Sequence, residues 1–363
     1  MRRSALVVAV VGVMAVTGSV TFGQQQGRAG GAQGRAGGAA AAAPVPDLPV
    51  GKTAFWAASD IEARWKDNER LMRANSRLFN GPTNISANVR IVLPNDPPLT
   101  HETTSDLWIV TAGTAVAETD GKVVKVNGRD EIQGGTKRNV KVGDLLYVAP
   151  GVPHHFTDLK GFRAWLMRVD TVGLERTTPV AAPAAGRGRG VAAEPGAAGR
   201  GRGAAPAAEP AAGRGAPAPP VPDLATDKTM FWTHEDIVAR WKDDEANKRI
   251  NSRLYNGPAN ISTNVRIVLD GDPPATHEGT ADLWLVTEGT AVARTDGQIV
   301  KANGKDVIQN GMMRPVQPGD LLYVPPGVPH HFTDMKGFRA FLIRYDVEGW
   351  KQTIAPPAGG RGN

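Results

Sequence analysis

The 363-residue sequence contains no cysteine. Disulfides and thiolate chemistry are therefore excluded, and any metal site has to be built from His, Asp or Glu. Histidine is scarce as well, at seven residues. Apolar runs are short. The longest, Ala5 to Val20, falls below the ~20 residues of a membrane span and is diluted by Ala15, Thr17, Gly18 and Ser19. A basic binding face is also missing. The net charge of +6 comes from arginines near the N-terminus, in the middle and at the C-terminal end, so the remaining blocks are close to neutral. Nucleic acid is therefore not an expected partner.

The segments outside those blocks carry their own signals. Met1-Arg2-Arg3 followed by the apolar run reads as a signal peptide, with cleavage expected after Gly23. A periplasmic or secreted location follows, with no stable membrane insertion after cleavage; a retained anchor is the competing reading. Residues 24–43 are Gly/Ala/Arg/Gln-rich and read as a disordered leader. Residues 173–219 are rich in Ala, Pro and Gly-Arg-Gly and read as a linker with a reach of roughly 35–40 Å. The stretch has no aromatic residue for stacking on RNA bases. Residues 348–363 read as a flexible tail.

Between these segments the text repeats. Residues 44–172 recur as 220–347 at a constant offset of 176, without gaps and with about two positions in three identical. This is a tandem duplication of one domain. Each copy begins with a short helix: Ser59-Asp60, and its twin Thr233-His234-Glu235-Asp236, read as an N-cap with an acidic first turn. Ile61 and Trp65, four residues apart, share the face that packs. Strands follow. Residues 84–93 alternate, with Ile85, Val89 and Ile91 on one face and Asn84, Ser86, Asn88 and Arg90 on the other. Leu107–Ala117, Val123–Val126, Leu145–Val148 and Phe162–Arg168 are further strands, separated by turn signals such as Asp120-Gly121 and Asn127-Gly128. Many short strands and little helix predict an antiparallel sandwich or barrel. Docking of the two blocks, within one chain or between chains, is permitted but not imposed.

One constellation looks like chemistry, and it occurs twice. His101 precedes Asp106 and Trp108 in the first copy, as His277 precedes Asp282 and Trp284 in the second. Each copy later carries Pro-Gly-Val-Pro-His-His-Phe, with His154 and Phe156 or His330 and Phe332. Asp106 and Trp108 share a strand face, and so do His154 and Phe156, whereas His155 points the other way. The predicted metal ligands are His101, Asp106 and His154, with His277, Asp282 and His330. Two imidazoles and a carboxylate suit Fe, Mn, Zn, Ni or Cu, so ligand type does not select the ion. Trp108 and Trp284 either line a cavity or fill the barrel, filling being preferred. Arg90 and Arg266 would bind a substrate carboxylate if their strand face lines a cavity. A solvent-facing surface is the preferred reading.

Gly319-Asp320-Leu321-Leu322-Tyr323-Val324-Pro325-Pro326-Gly327-Val328-Pro329-His330 closely resembles the second motif of the cupin superfamily. Gly143 to His154 matches it apart from Ala149. The first motif is matched by His101, Asp106 and Gly113, and by His277, Asp282 and Gly289. It departs at Leu99 and Ala275, where the family has a further His, and in carrying Asp for Glu. The resemblance implies an all-β bicupin: two cupin-type jelly-roll (double-stranded β-helix) barrels, each preceded by a short helix. It also implies one divalent metal per barrel, held by three protein ligands rather than the usual four, and a small-molecule substrate. Dioxygenase- or decarboxylase-like activity on an oxygenated or carboxylated molecule is the expected function. A non-catalytic small-molecule or glycan-binding cupin with degenerate sites is the alternative.

Overall fold

A computed structural model describes residues 45–79, 85–177, 221–256 and 260–353. The segments read from sequence as signal peptide and leader, most of the stretch read as linker and the end of the tail lie outside these residues. No helix among the described residues is long and apolar enough to cross a membrane. The first repeat comprises β1 (Ala54–Trp56), α1 (Ala58–Arg70), β2 (Asn75–Arg77), β3 (Ile85–Ile91), β4 (Thr104–Thr119), β5 (Lys122–Val126), β6 (Arg129–Gln133), β7 (Thr136–Lys141), β8 (Leu145–Val148), β9 (His154–Asp170) and β10 (Leu174–Arg176). The second comprises β11 (Met230–Trp232), α2 (His234–Ala246), β12 (Asn251–Arg253), β13 (Ile261–Ile267), β14 (Thr280–Thr295), β15 (Gln298–Ala302), β16 (Lys305–Gln309), β17 (Met312–Val316), β18 (Leu321–Val324), β19 (His330–Asp346) and β20 (Trp350–Gln352).

The long strands β4 and β9 organise the first barrel. They pair antiparallel from Thr104↔Asp170 to Thr119↔His154, with register shifts between Val110 and Val116. Below the shifts β4 takes β8 on its other edge; above them it takes β7. The pair thus passes from one sheet of a sandwich into the other, as in a jelly roll. Gly113 makes the bend possible. It has φ +66°, and a Cβ there would lie 2.1 Å from the Lys160 carbonyl oxygen. β14 and β19 repeat the arrangement around Gly289. Both repeats are double-stranded β-helix barrels.

Alternation along these strands serves two cores at once. Trp284, Val286, Leu322, Val324, Ala340 and Leu342 form one cluster with Phe332 and Phe338. Their neighbours Leu283, Leu285, Leu321, Tyr323, Phe341 and Ile343 belong to the cluster that holds the first repeat. Strands buried on both faces read as near-continuous apolar text, which is why Leu-Trp-Leu-Val and Leu-Leu-Tyr-Val lack polar alternation. Ile61 and Trp65 of α1 are buried, and Trp65 meets Trp165 edge-on at 5.9 Å.

The two repeats are interlocked. β1 pairs not with its own barrel but with β18 of the second, and β11 pairs with β8 of the first. Each arm is anchored on the opposite barrel by carboxylates. Asp296 accepts from the Thr53 N–H at 2.7 Å, and Asp120 from the Thr229 N–H at 2.6 Å. Asp320 accepts from the Ala58 N–H and Asp144 from the His234 N–H, each at 2.7 Å. These last two carboxylates sit at the starts of α1 and α2, where unpaired N–H groups and the helix dipole favour negative charge. The sequence places an N-cap at Ser59-Asp60. The cap residue is Ala57 instead, which makes no side-chain bond, and the other repeat supplies the acceptor. α2 keeps a capping box of its own between Thr233 and Asp236. β10 and β20 also pair, so residues assigned from sequence to the linker and tail form a two-stranded ribbon. Three-residue strands carry no periodicity that would reveal such a pairing.

Among the buried positions at which the repeats differ, one exchanges an amide for a carboxylate. Asn68 donates to the Val89 carbonyl and accepts from the Ser76 hydroxyl. Its twin Asp244 accepts from Ser252, but its Oδ2 is buried without a hydrogen-bond partner. Burial raises the Asp244 carboxyl from 3.8 to about 6. A raised folded-state value means stability that is present in acid and lost as pH rises through about 6. Asp244→Asn restores the donor, so it is expected to raise the melting temperature at pH 8, by up to ~3 kcal/mol of stability. The gain should vanish near pH 4; thermal melts across pH check both signs. The interlock makes a second prediction. After protease cleavage at a site engineered within 180–215, the halves should still co-elute on native gel filtration.

Candidate metal centre

Strand register brings the site together. Asp106 on β4 lies across from Arg168 on β9 and from Val148 on β8. Directly opposed side chains share a face, so carboxylate and guanidinium meet inside the barrel. Arg168 Nε donates to Asp106 Oδ1 at 3.2 Å. His154 opens β9, and its backbone exchanges two hydrogen bonds with Leu99, at 3.0 and 2.9 Å. That bridge draws the segment carrying His101 back over the barrel end, where the His101 carbonyl accepts from the Gly151 N–H.

The three predicted ligands converge in each copy, and their ligating atoms lie within 4.8 Å of one another. Asp106 Oδ2 is 3.4 Å from His154 Nε2 and 3.5 Å from His101 Nε2. The corresponding separations around Asp282 are 3.5 Å to His330 and 3.7 Å to His277. An ion about 2.0–2.2 Å from each ligand requires ligand–ligand edges of about 3.0–3.6 Å, close to these values. In the first copy Asp106 Oδ2 and His154 Nε2 are both buried without a hydrogen-bond partner. His154 Nδ1 faces the Val152 carbonyl at 3.4 Å; in the tautomer that donates there, Nε2 presents its lone pair to Asp106. In that tautomer two acceptors face each other 3.4 Å apart, an arrangement a cation would satisfy. The set fits a metal ion.

Electrostatics prepare the same outcome. Burial alone would raise the Asp106 carboxyl, but Arg168, His154 and His101 together outweigh it and hold the group at about 2. Asp282 is lowered in the same way against its burial, chiefly by Arg344. Burial pushes His101 and His277 down to about 4, and lowers His330. These imidazoles are neutral and the carboxylates ionised at neutral pH, the states that ligate metals.

The residues around the triad differ from expectation in two respects. Arg90 is 5% exposed, not solvent-facing, with Asp96 at 3.6 Å. The polar face of β3 is covered, and burial lowers the Arg90 guanidinium. Arg266 lies over the Trp284 ring at 5.6 Å. Trp108 and Trp284 fill the barrels, packed against Phe156 and Phe332 at 4.6 Å and edge-on to His154 and His330 at 6.2 Å. His155 points away from the triad, to the Asp96 carbonyl.

The second difference is the arginine. Arg168 Nη2 lies 3.0 Å from His101 Nε2, and Arg344 Nη2 lies 2.9 Å from His277 Nε2. Arg344 also grips both oxygens of Asp282, at 2.7 and 2.9 Å. Sequence reasoning missed these residues because nothing local marks them. Their recurrence at the 176-residue offset, on the strand that follows the second motif, was the available signal. The half-buried Arg168 pairs with the buried Asp106 carboxylate, whereas His154 Nε2 has no hydrogen-bond partner. Asp106→Asn should therefore cost about 3 kcal/mol or more in denaturant unfolding of the metal-free protein. His154→Asn should cost less; equal losses would contradict this division.

No family model matches the chain, and no curated protein matches it in sequence. Solved structures do resemble it. A salicylate 1,2-dioxygenase from Pseudaminobacter salicylatoxidans aligns over 82% of this chain and 84% of its own, at 14% identity and TM-score 0.44. Streptomyces albus HEPD, with 2-hydroxyethylphosphonate and Fe(II) bound, aligns over 81% and 76%, at 12% identity and TM-score 0.39. A variant of Bacillus subtilis oxalate decarboxylase aligns over 73% and 69%, at 13% identity and TM-score 0.35. At these identities and scores the likeness carries nothing about activity. The fold assignment rests on this chain's own strand order, its bend at Gly113 and Gly289, and its second motif. By that architecture the chain comprises two tandem barrels of the cupin-type double-stranded β-helix fold, interlocked by exchanged strands.

Proposed function

We propose that the protein is an exported bicupin that holds one divalent metal ion in each barrel and acts on a small oxygenated or carboxylated molecule. The observation that carries this reading is the convergence of two imidazoles and a carboxylate in each barrel, with Asp106 Oδ2 and His154 Nε2 of the first buried and facing each other without hydrogen-bond partners. His101 and His277 complete the two sets at the more open side; their side chains are 25% and 29% exposed, against 2% and 6% for His154 and His330. Substrate would enter from that side. When bound, the ion supplies a Lewis acid or redox centre with coordination positions left open for substrate. The chain's own contribution is to orient and exclude. Trp108 and Phe156 wall the inner side against water, and Arg168 fixes the carboxylate that faces the ion. Dioxygenase- or decarboxylase-like chemistry suits two imidazoles and a carboxylate that leave coordination positions open.

A second reading is favoured by one observation. The hydrogen bond from Arg168 to His101 satisfies a ligand without any ion, as expected of a binding module with degenerate sites. The two readings separate by metal counting. The protein should retain up to two ions per chain, and His154→Ala/His330→Ala should retain below roughly a tenth of that. Equal, near-zero content in both proteins, with small-carboxylate binding that survives chelation, would favour the binding module.

A further inference from the structure

The arginine in each ligand set bears on what can enter together with the ion. Charge comes first. Asp106 is 1% exposed and already carries its counter-charge, Arg168, on the strand beside it. The other buried guanidinium of that barrel, Arg90, has Asp96. In the second barrel Asp282 is matched by Arg344 in the same way. In the first barrel these groups are therefore neutral as a set before any ion arrives, and in the second the half-buried Arg266 adds a further positive charge beside the Trp284 ring. A divalent cation alone would bring two unmatched positive charges into a poorly solvated space, next to a fixed guanidinium.

Geometry gives the second constraint. Arg168 Nη2 donates to His101 Nε2, and Arg344 Nη2 to His277 Nε2. The lone pair it occupies is the one His101 would offer a metal. Coordination by His101 has to break that bond, leaving N–H donors unpaired beside the coordination sphere while Nε stays on Asp106 Oδ1. An oxygen anion that ligates the ion and accepts from the freed guanidinium would repair both deficits: it supplies negative charge and takes the place of the lost acceptor.

Building on the metal reading above, we propose that each barrel takes up its cation together with an oxyanion of the carboxylate class, with Arg168 and Arg344 releasing their histidines to hold that anion. Cation and anion binding are then positively and reciprocally coupled. Arg168 and Arg344 are positioning residues that set the anion requirement, and their positive charge opposes binding of the bare ion.

The test is equilibrium dialysis of the full chain against zinc, counted by mass spectrometry, in chloride and in acetate at equal ionic strength. Acetate's weak affinity for zinc works against the expected gain. Wild-type protein should bind zinc at least ~5-fold more tightly in acetate. R168Q/R344Q should bind zinc more tightly than wild type in chloride, and should respond to acetate less than about twofold. Zinc bound by wild type with equal affinity in both salts would overturn the coupling and leave the metal reading standing. So would a variant, shown folded by its melting transition, that binds more weakly than wild type in chloride. No zinc bound by either protein in either salt would end both. The wild-type comparison does not depend on the variant folding.

Discussion

The antiparallel pairing of two long strands, Thr104–Thr119 with His154–Asp170, is the constraint on which the site depends. Its register sets Asp106 against Arg168 at one end and begins at His154 on the other strand. The bend at Gly113 carries the pair from one sheet to the other and gives the barrel its interior. A one-residue slip would turn Asp106 and Arg168 to the outer face and replace them with Leu107 and Met167. The apolar residues on both faces make such a slip costly in both directions: Trp108 and Leu166 would leave the barrel, and Leu107 and Met167 would leave the core around the other repeat.

The duplication is more than two copies on a string. Each repeat gives its first strand to the other barrel, and the carboxylate of each Gly-Asp turn meets the start of the other repeat's helix. The outer faces of β4, β8 and β9 therefore have a partner that a lone repeat would lack. Tyr147 meets Tyr255 and Tyr323 meets Phe79, with ring centres 6.2 and 6.3 Å apart. Such contacts contribute ~0.5–1.5 kcal/mol each beyond their area. The interlock buries apolar surface that would otherwise be a large exposed patch. It also packs against the strands that carry both His/Asp/His sets.

Much of this was legible in the sequence, and the exceptions have physical causes. The repeat offset, the Gly and Asn turns, the Ile61/Trp65 helix face and the triad spacing are all local or periodic signals. Alternation placed Asp106 with Trp108, and His154 with Phe156, on common faces. Three features were not local. Arg168 lies 62 residues from Asp106, and only strand register, which composition does not encode, joins them. Arg90 sits on a strand whose polar alternation imitates a surface; the barrel closes over it, and Asp96 offsets its charge. The exchanged arms depend on three-residue strands that pair with the other repeat, and the start of α1 depends on an acceptor for the Ala58 N–H 262 positions away, Asp320. A reading of each repeat alone could see neither.

The claim that most needs direct evidence is that three side chains from distant parts of each barrel grip one ion. Anomalous diffraction at the zinc edge, from crystals grown with zinc acetate, tests it without reference to any substrate. The account predicts one peak per barrel, about 2.0–2.2 Å from His101 and His154 nitrogens and an Asp106 oxygen, with equivalent distances at His277, His330 and Asp282. Barrels with no peak, with Arg168 and Arg344 still bonded to their histidines and zinc found only on surface carboxylates, would contradict it.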